Sequence, residues 1–430
     1  MNNLQKQFSA RYIAWKVLTE LEQGNFRHHA DEKLEKMCRK QNLPAVDRSL
    51  AFEIISGCLR NKTLLEFYLS GYSSQPVSKL EQELRWILII SFYQLLFLDK
   101  IPDHATVNEA VNLCKQENKI GWSKFVNGIL RSALRDNVKE KTLRKISSTT
   151  TYSHPSWLIK KWKDDFGEEK SIEILKWNNK IPNQHAVILR NFDEIINELV
   201  PSAGDLAEEI GTKVLKIKNF KNLFRSDSFK NGDIYLMTPW SILITQQLPL
   251  QPDLKILDMC TAPGGKAILT SCMEDVEIKA LDNSSRRIEK LKENLIRCRI
   301  ENVCPVVGDG RDSSKIFGKE KFDAVLIDAP CSSLGVIQRH PEIRWRVTNE
   351  SFVSIQILQK QLLDAAMEVT KPGGRILYSV CTFTNEETEE VINSFLSENK
   401  NMTCLKKELN LPGEKNMCGG FFALLEKKGG

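Results

Sequence analysis

The sequence has no long apolar run. The longest, Trp86 to Leu98, is interrupted by Ser91 and Gln94. It is well short of the ~20 residues that a membrane-spanning helix needs, and it reads as a buried core helix. Met1 to Ala10 contains no charged-then-apolar export signal, so a cytoplasmic protein with no membrane partner is expected. There is no Cys-x-x-Cys pair, and the six histidines are scattered along the chain. Zinc is therefore disfavoured and no metal is expected. There is also no Walker lysine motif and no Gly-x-Gly-x-x-Gly, which weakens ATP and dinucleotide readings. No repeat of fixed period is present.

What remains is the composition of a soluble globular protein: 430 residues, 41% hydrophobic and 27% charged. The length suggests about three domains. Eleven cysteines in an unexported chain point to reduced thiols. A net charge of +6 leans weakly towards an anionic partner. From Arg11 to about Asp136 the pattern is helical, with Ile13, Val17 and Leu21 at four-residue spacing and Phe52, Ile55 and Leu59 on one face. Lys139 to Thr151 is polar and reads as a linker. Tyr152 to about Leu250 mixes short helices with β-prone stretches such as Ala186–Leu189. Beyond Leu254, strands and helices alternate, which implies a parallel sheet wrapped in helices. The expected division is thus 1–145 all-α, 152–250 small α+β, and 251–430 α/β.

The α/β part carries the chemistry. Lys255–Cys260 reads as a buried strand leading into Thr261, Ala262, Pro263, Gly264, Gly265 and Lys266, then a helix. Glycines there let the backbone approach a ligand at the carboxyl edge of the sheet. The next strand, Glu277–Asp282, ends in an acid suited to ribose hydroxyls. Val303–Asp309 and Phe322–Asp328 end in acids as well. One such acid is an ordinary loop carboxylate; three facing one crevice are a site. The fourth strand delivers Asp328–Ala329–Pro330–Cys331, and the fifth, Arg375–Val380, delivers Cys381 after a Lys371–Gly374 turn. A thiol beside such a crevice is a candidate nucleophile. Cys38, Cys58, Cys114, Cys272, Cys298, Cys304, Cys404 and Cys418 are read as small buried hydrophobes.

Asp328–Ala329–Pro330–Cys331–Ser332, then Leu334–Gly335–Val336 and Arg339–His340–Pro341–Glu342–Ile343–Arg344–Trp345, resembles the signature of the RNA cytosine-5 methyltransferases. Met259–Lys266 is similar to their S-adenosylmethionine loop, and Tyr378–Cys381 to their nucleophile strand. In the first half, Asp47–Arg48, Gly57–Arg60, Tyr93–Leu96, Pro102–Ala105, Asn108–Val111 and Val126–Arg131 resemble a NusB-like domain. The pairing resembles the Sun/Fmu family of bacterial 16S ribosomal RNA cytosine-5 methyltransferases. The resemblance implies a Rossmann-like S-adenosylmethionine-dependent methyltransferase domain behind a NusB-like RNA-binding domain, with 16S ribosomal RNA as partner and 5-methylcytosine as product.

It also implies the roles of individual residues. Cys381 is the nucleophile that adds to carbon 6 of cytosine, and Cys331 helps release the product. Asp328 hydrogen-bonds the cytosine edge close to the cofactor. Cys260 and Thr261 to Lys266 wrap the methionine end of the cofactor, Asp282 its ribose and Asp309 its adenine. Lys266 is also a cation that would favour a nearby thiolate. The chain departs from the family in having Val380 for a threonine, Met237–Thr238 for Gln–Asp, and Thr261 for alanine. It also has Asn385–Glu386–Glu387–Thr388 for Pro–Glu–Glu–Asn.

For RNA, Arg60, Arg131, Arg135, Lys141, Arg144 and Lys145 suggest a basic face, although such charges often only solvate helices. Arg339, His340, Arg344, Trp345 and Arg346 mix cations with an aromatic, as where bases are stacked. A monomer is expected. Two other readings compete: a transfer RNA cytosine-5 methyltransferase, which the NusB-like half disfavours, and an RNA-binding assembly or antitermination factor with an inert catalytic half, which the two retained thiols disfavour.

Overall fold

The structure is a computed structural model that describes residues 8–140, 146–207, 214–218 and 220–429. The chain groups into two compact units, Met1–Lys180 with Ile337–Val347, and Ile181–Val336 with Thr348–Gly430. Among the described residues no helix is long and apolar enough to cross a membrane.

The first unit is helical. Its helices are α1 (Ala10–Gln23), α2 (Ala30–Gln41), α3 (Ala45–Arg60), α4 (Lys62–Ser70), α5 (Gln82–Phe97), α6 (Asp103–Gln116), α7 (Ile120–Arg135), α8 (Ser148–Tyr152) and α9 (Ser156–Asn179). The apolar run noted in the sequence is α5. Trp86, Ile87, Leu88, Ile89, Ile90 and Phe92 are all buried in it, as expected of a helix surrounded by others. Ile13, Val17 and Leu21 of α1 are buried too, but Phe52 of α3 is 47% exposed. The buried stripe of α3 centres on Ala51, Ile54, Ile55 and Cys58, which leaves Phe52 about a quarter turn off that centre.

Segment Ile337–Val347 belongs to this unit by contact although it lies far along the chain. Arg344 is fully buried; its guanidinium donates to the carbonyls of Arg60 (3.2 Å), Tyr152 (3.2 Å), Ser153 (3.1 Å) and Asn178 (3.2 Å), and to Asn179 Oδ1 (2.8 Å). Trp345 Nε1 donates to Leu59 O at 2.9 Å. Arg60 is itself buried and donates to Gln338 O at 3.2 Å. Arg60, Arg344 and Trp345 are therefore not an RNA-facing surface. Planar donors of this kind are consumed by helix-end carbonyls that would otherwise be unpaired. Arg131 and Arg135 are exposed and line a groove of about 850 Å³ with Asp103 and His104. Lys141, Arg144 and Lys145 lie outside the described residues. His29 and His340, distant in sequence, meet with ring centroids 4.8 Å apart, and His29 Nδ1 lies 3.0 Å from the buried Glu342 carboxylate.

The second unit contains two sheets. A small antiparallel sheet has the order β2-β3-β1-β4, from β1 (Gln184–Ile188), β2 (Gly204–Ala207), β3 (Val214–Ile217) and β4 (Ile234–Leu236). The large sheet is built from β5 (Lys255–Met259), β6 (Glu277–Asp282), β7 (Val303–Val307), β8 (Phe322–Asp328), β9 (Thr370–Val380), β10 (Met402–Asn410) and β11 (Gly420–Lys427). Its order is β10-β11-β9-β8-β5-β6-β7, with β11 antiparallel to β9 and β5 to β9 parallel. This is a Rossmann-like arrangement, with the order reversing at β5. The central strands are covered on both faces, so they are nearly continuous apolar runs; Ala324, Val325, Leu326 and Ile327 of β8 are all buried. The expected Lys371–Gly374 turn lies instead within β9, where its register against β8 shifts between Phe322 and Ala324.

Replacing Arg344 with methionine, which leaves several buried carbonyls unpaired, should lower the stability of the helical unit by roughly 3 kcal/mol. Arg344→Lys should not rescue it, since an ammonium cannot reproduce the planar fork. Urea unfolding followed by tryptophan fluorescence tests this; an unchanged midpoint for both variants contradicts it.

The His29–Glu342 contact also sets a pH dependence. Its hydrogen bond to Glu342 raises the His29 imidazole above its usual range. Burial alone would push Glu342 up, but hydrogen bonds from His29 and His340 bring it down to about 2. The His29 contribution is fully present below about pH 6.5 and is lost as pH rises through the raised value; that of Glu342 is lost only as pH falls towards its depressed value. Between about pH 6 and pH 8 the melting temperature should fall more for the natural chain than for His29→Gln. Parallel curves would rule this out.

Candidate active site at the carboxyl edge of the sheet

Strand β5 is buried through Met259, and the chain then turns sharply. Cys260 takes φ +60° and Gly264 φ +100°. A Cβ on Gly264 would lie 2.2 Å from Leu291 Cδ1, so both conformation and space demand glycine there. The helix Gly265–Met273 starts immediately, with Lys266 in its first turn. Thr261, a departure from the family, donates its hydroxyl to Asp258 Oδ2 at 2.7 Å. Burial pushes the Asp258 carboxyl up to about 7 against that bond. The Ala262–Pro263 peptide is cis.

Asp282, at the end of β6, is buried. Its Oδ2 accepts from the Ala262 N–H at 3.3 Å and its Oδ1 from the Ser284 N–H at 2.9 Å, with Arg287 Nη2 also 2.9 Å away. One carboxylate thus fixes the loop after β5 to the turn after β6. Asp309 lies two residues beyond β7 instead of on it. Its side chain caps the turn Gly310–Asp312, and hydrogen bonds from Arg311 hold it below the usual carboxylate range. Cys260, Asp282 and Asp309 line one cavity of about 470 Å³, walled on its apolar side by Pro330, Leu358 and Leu362. That volume is typical of a small-molecule site. Its two acids beside an apolar slot match a nucleoside, with a diol at one end and a flat base at the other.

The second cluster sits where β8 and β9 end side by side. Their register sets Asp328 opposite Ser379. Ser379 Oγ donates to Asp328 Oδ1 at 3.1 Å, and Lys266 Nζ lies 2.5 Å from Asp328 Oδ2. The loops that follow bring Cys331 Sγ within 3.1 Å of Cys381 Sγ. Gly335 makes this closeness possible. Its N–H donates to Cys381 O at 3.0 Å, and a Cβ there would lie 2.1 Å from Gly419 O. The two thiols are inequivalent. Its hydrogen bond with Cys381 and burial push Cys331 well above the usual thiol range, and the charge of Glu387 adds to this. Cys381 is drawn below it by the hydrogen bond with Cys331 and another with Ser333, with Lys266 helping and burial and Asp328 opposing.

The residues read from the sequence thus form two adjoining groups: Cys331, Cys381, Asp328 and Lys266, and the cavity with Cys260, Asp282 and Asp309. Of the cysteines expected to be buried, Cys38, Cys58, Cys114 and Cys298 are; Cys272, Cys404 and Cys418 are only half-buried, and Cys304 is exposed because β7 is the edge strand. Sequence reasoning missed Ser379 and Glu387 as site residues. Glu387 was visible only as part of a departure from the family pattern; an acid that is fully buried so close to the two thiols is a signal only once burial is known.

Comparison with known proteins agrees with this geometry. Residues 245–422 match the family 16S rRNA methyltransferase RsmB/F, and residues 9–135 match the NusB family. The chain is 31% identical over 408 residues to the probable ribosomal RNA small subunit methyltransferase B of Bacillus subtilis, covering 91% of this chain and 89% of that one. It is 28% identical to the ribosomal RNA small subunit methyltransferase B of Proteus mirabilis, covering 99% and 100%. Among solved structures it resembles PH0851, with TM-score 0.81 and 25% identity over 98% of this chain and 99% of that one. NSun6 from Pyrococcus horikoshii shares the fold of part of the chain, with TM-score 0.56 over 64% of it and 98% of that chain, at 20% identity. With a NusB-type helical region ahead of a Rossmann-like methyltransferase domain that carries the paired thiols, the chain belongs to the ribosomal RNA small subunit methyltransferase B family.

Proposed function

We propose that the protein methylates carbon 5 of a cytosine in 16S ribosomal RNA, using S-adenosylmethionine and a transient covalent bond from Cys381. The observation that carries this reading is the pair of thiols 3.1 Å apart at the ends of adjacent parallel strands, beside the Asp328–Lys266 ion pair. When bound, S-adenosylmethionine supplies an electrophilic methyl group. Asp282 would accept from its ribose hydroxyls, Asp309 from its adenine amino group, and the Cys260–Lys266 loop would line its methionine end.

Carbon 5 of cytosine is a poor nucleophile until the ring loses its aromaticity. The Cys381 thiolate forms a bond to carbon 6, the electron pair moves to carbon 5, and carbon 5 takes up the methyl while the electrons of the methyl–sulfur bond stay with the departing thioether. Asp328, ion-paired with Lys266, accepts a hydrogen bond from the cytosine edge. A water molecule then takes the carbon 5 proton, the electron pair re-forms the ring double bond, and the sulfur–carbon 6 bond breaks to return the thiolate. Cys331, held as a thiol next to the leaving sulfur, assists this last step. A cytosine in a helix hides carbon 6, so the target must be single-stranded or flipped out. Mapping 5-methylcytosine in 16S ribosomal RNA from cells with and without the protein tests the reading as a whole; an unchanged map overturns it.

The roles of the two thiols separate by mutation. Cys381→Ser should abolish methylation and form no RNA adduct, since a serine hydroxyl ionises far less readily than a thiol. Cys331→Ser should still attack but release slowly, accumulating a protein–RNA complex that survives denaturing electrophoresis. An adduct with Cys381→Ser instead would reverse the assignment.

Asp282→Asn should weaken cofactor affinity about ten- to a hundred-fold, as expected for one or two charge-assisted hydrogen bonds. The single-turnover rate at saturating cofactor should change much less, because the ribose is remote from the reacting methyl. Calorimetry and rapid-quench kinetics measure the two quantities; unchanged affinity removes Asp282 from the cofactor site.

A further inference from the structure

Glu387 is fully buried, and it reaches both cysteine-bearing loops. Its Oε2 accepts from the Ser332 N–H at 2.8 Å, next to Cys331, and from Gln359 Nε2 at 3.3 Å. Its Oε1 accepts from the Thr384 hydroxyl at 3.2 Å, three residues beyond Cys381. Gln359 Nε2 also donates to Pro330 O at 3.0 Å, Tyr378 OH donates to Glu387 O at 3.0 Å, and the Ser332 and Thr382 hydroxyls are 3.0 Å apart. These contacts form one buried network that ties the Pro330–Ser333 loop to the Cys381–Thr388 loop. Its donors are an amide, hydroxyls and a carboxamide, none of them a cation, so the carboxylate's charge is not neutralised within the network. Donors that all point at one carboxylate favour its ionised form. Burial pushes the Glu387 carboxyl up against them.

The charges around the two thiols differ. On the Cys381 side Asp328 and Lys266 act in opposite directions and are ion-paired with each other at 2.5 Å. On the Cys331 side the charge that acts is that of Glu387, whose hydrogen-bond donors are neutral.

We propose that Glu387 is a positioning residue: it holds the two cysteine loops at their working separation and places its negative charge beside Cys331, so that Cys381 is the thiol that ionises. This rests on the proposed function only in naming Cys381 the nucleophile. It explains how two cysteines in contact take different roles on the same site: either sulfur could donate across their 3.1 Å contact, and a negative charge beside Cys331 favours Cys331 as the protonated donor.

The test uses the full chain and needs neither RNA nor cofactor for its first arm. Iodoacetamide alkylation is followed peptide by peptide by mass spectrometry across about pH 6 to 10, with the exposed Cys304 as internal reference. In the natural chain Cys381 should be alkylated ahead of Cys331. In Glu387→Gln the Cys381-to-Cys331 rate ratio should fall about ten-fold, the change in thiolate fraction for one pKa unit. Glu387→Asp keeps the charge but is one methylene shorter. It should keep the order of alkylation and yet lose most of the covalent complex formed with a 5-fluorocytosine-substituted 16S ribosomal RNA fragment in the presence of S-adenosylmethionine. A natural ratio in Glu387→Gln, with Cys304 unchanged, overturns the proposal, as does a natural adduct yield in Glu387→Asp. If Glu387→Gln does not fold, as judged by circular dichroism, the Asp variant decides alone: it must keep the order and lose the adduct. If the natural chain alkylates in the expected order but forms no adduct, the methylation reading fails, and the alkylation ratio still decides the role of Glu387.

Discussion

The site depends on the parallel pairing of β8 with β9. In that register Asp328 faces Ser379, the two strands end together, and their loops leave in the same direction. A shift of one residue would turn every side chain of a strand to the opposite face. Such a slip would take Asp328 away from Lys266 and Ser379. The register is held by burial on both faces, with Val325 and Ile327 packed to one side of the sheet and Ala324 and Leu326 to the other. The chemistry therefore inherits its precision from apolar packing several residues away from any reacting group.

Around this frame the charges are distributed unevenly. Asp282 and Asp309 are each held by an arginine near the cavity, and Asp328 is held by Lys266. Asp282 also accepts two backbone N–H groups, so it organises the loop after β5 besides presenting a carboxylate to the cavity. A buried carboxylate with fewer donors fares differently: Asp258 accepts from the Thr261 hydroxyl on one oxygen only, and burial still pushes it up to about 7. The same low polarity makes the difference between the two thiols large, because a charge on one side is weakly screened.

The helical unit uses its polar residues differently. Arg60, Arg344 and Trp345 look like an RNA-binding set by type, but Arg60 and Trp345 each donate to a backbone carbonyl and Arg344 to several. A guanidinium with no carboxylate partner is tolerated in the interior because helix ends offer several carbonyls that no intrahelical N–H can reach. Glu342 and His29 add a charged contact in the same unit. Signature residues of a catalytic family can thus serve to hold a helical unit together.

The sequence by itself determined the class of fold and which residues stand at the carboxyl edge of the large sheet. Apolar runs ending in acids at Asp282 and Asp328 are legible because a central parallel strand is hydrophobic throughout and its carboxyl end is where ligands bind. The paired glycines after β5, and Cys331 and Cys381 after β8 and β9, follow from the same logic. What it could not determine was which charged and aromatic residues face solvent. Helical periodicity marked Phe52 as core, yet it stands at the edge of the stripe, and residue type marked Arg344 as surface, yet it has no exposure. Nor did it expose Glu387, whose role depends on Ser332, Gln359 and Thr384 meeting from separate segments. Local sequence sets the period and the ends of each element. Burial and partners at long range are decided only when the elements pack, and those are the quantities that assign a charge its task.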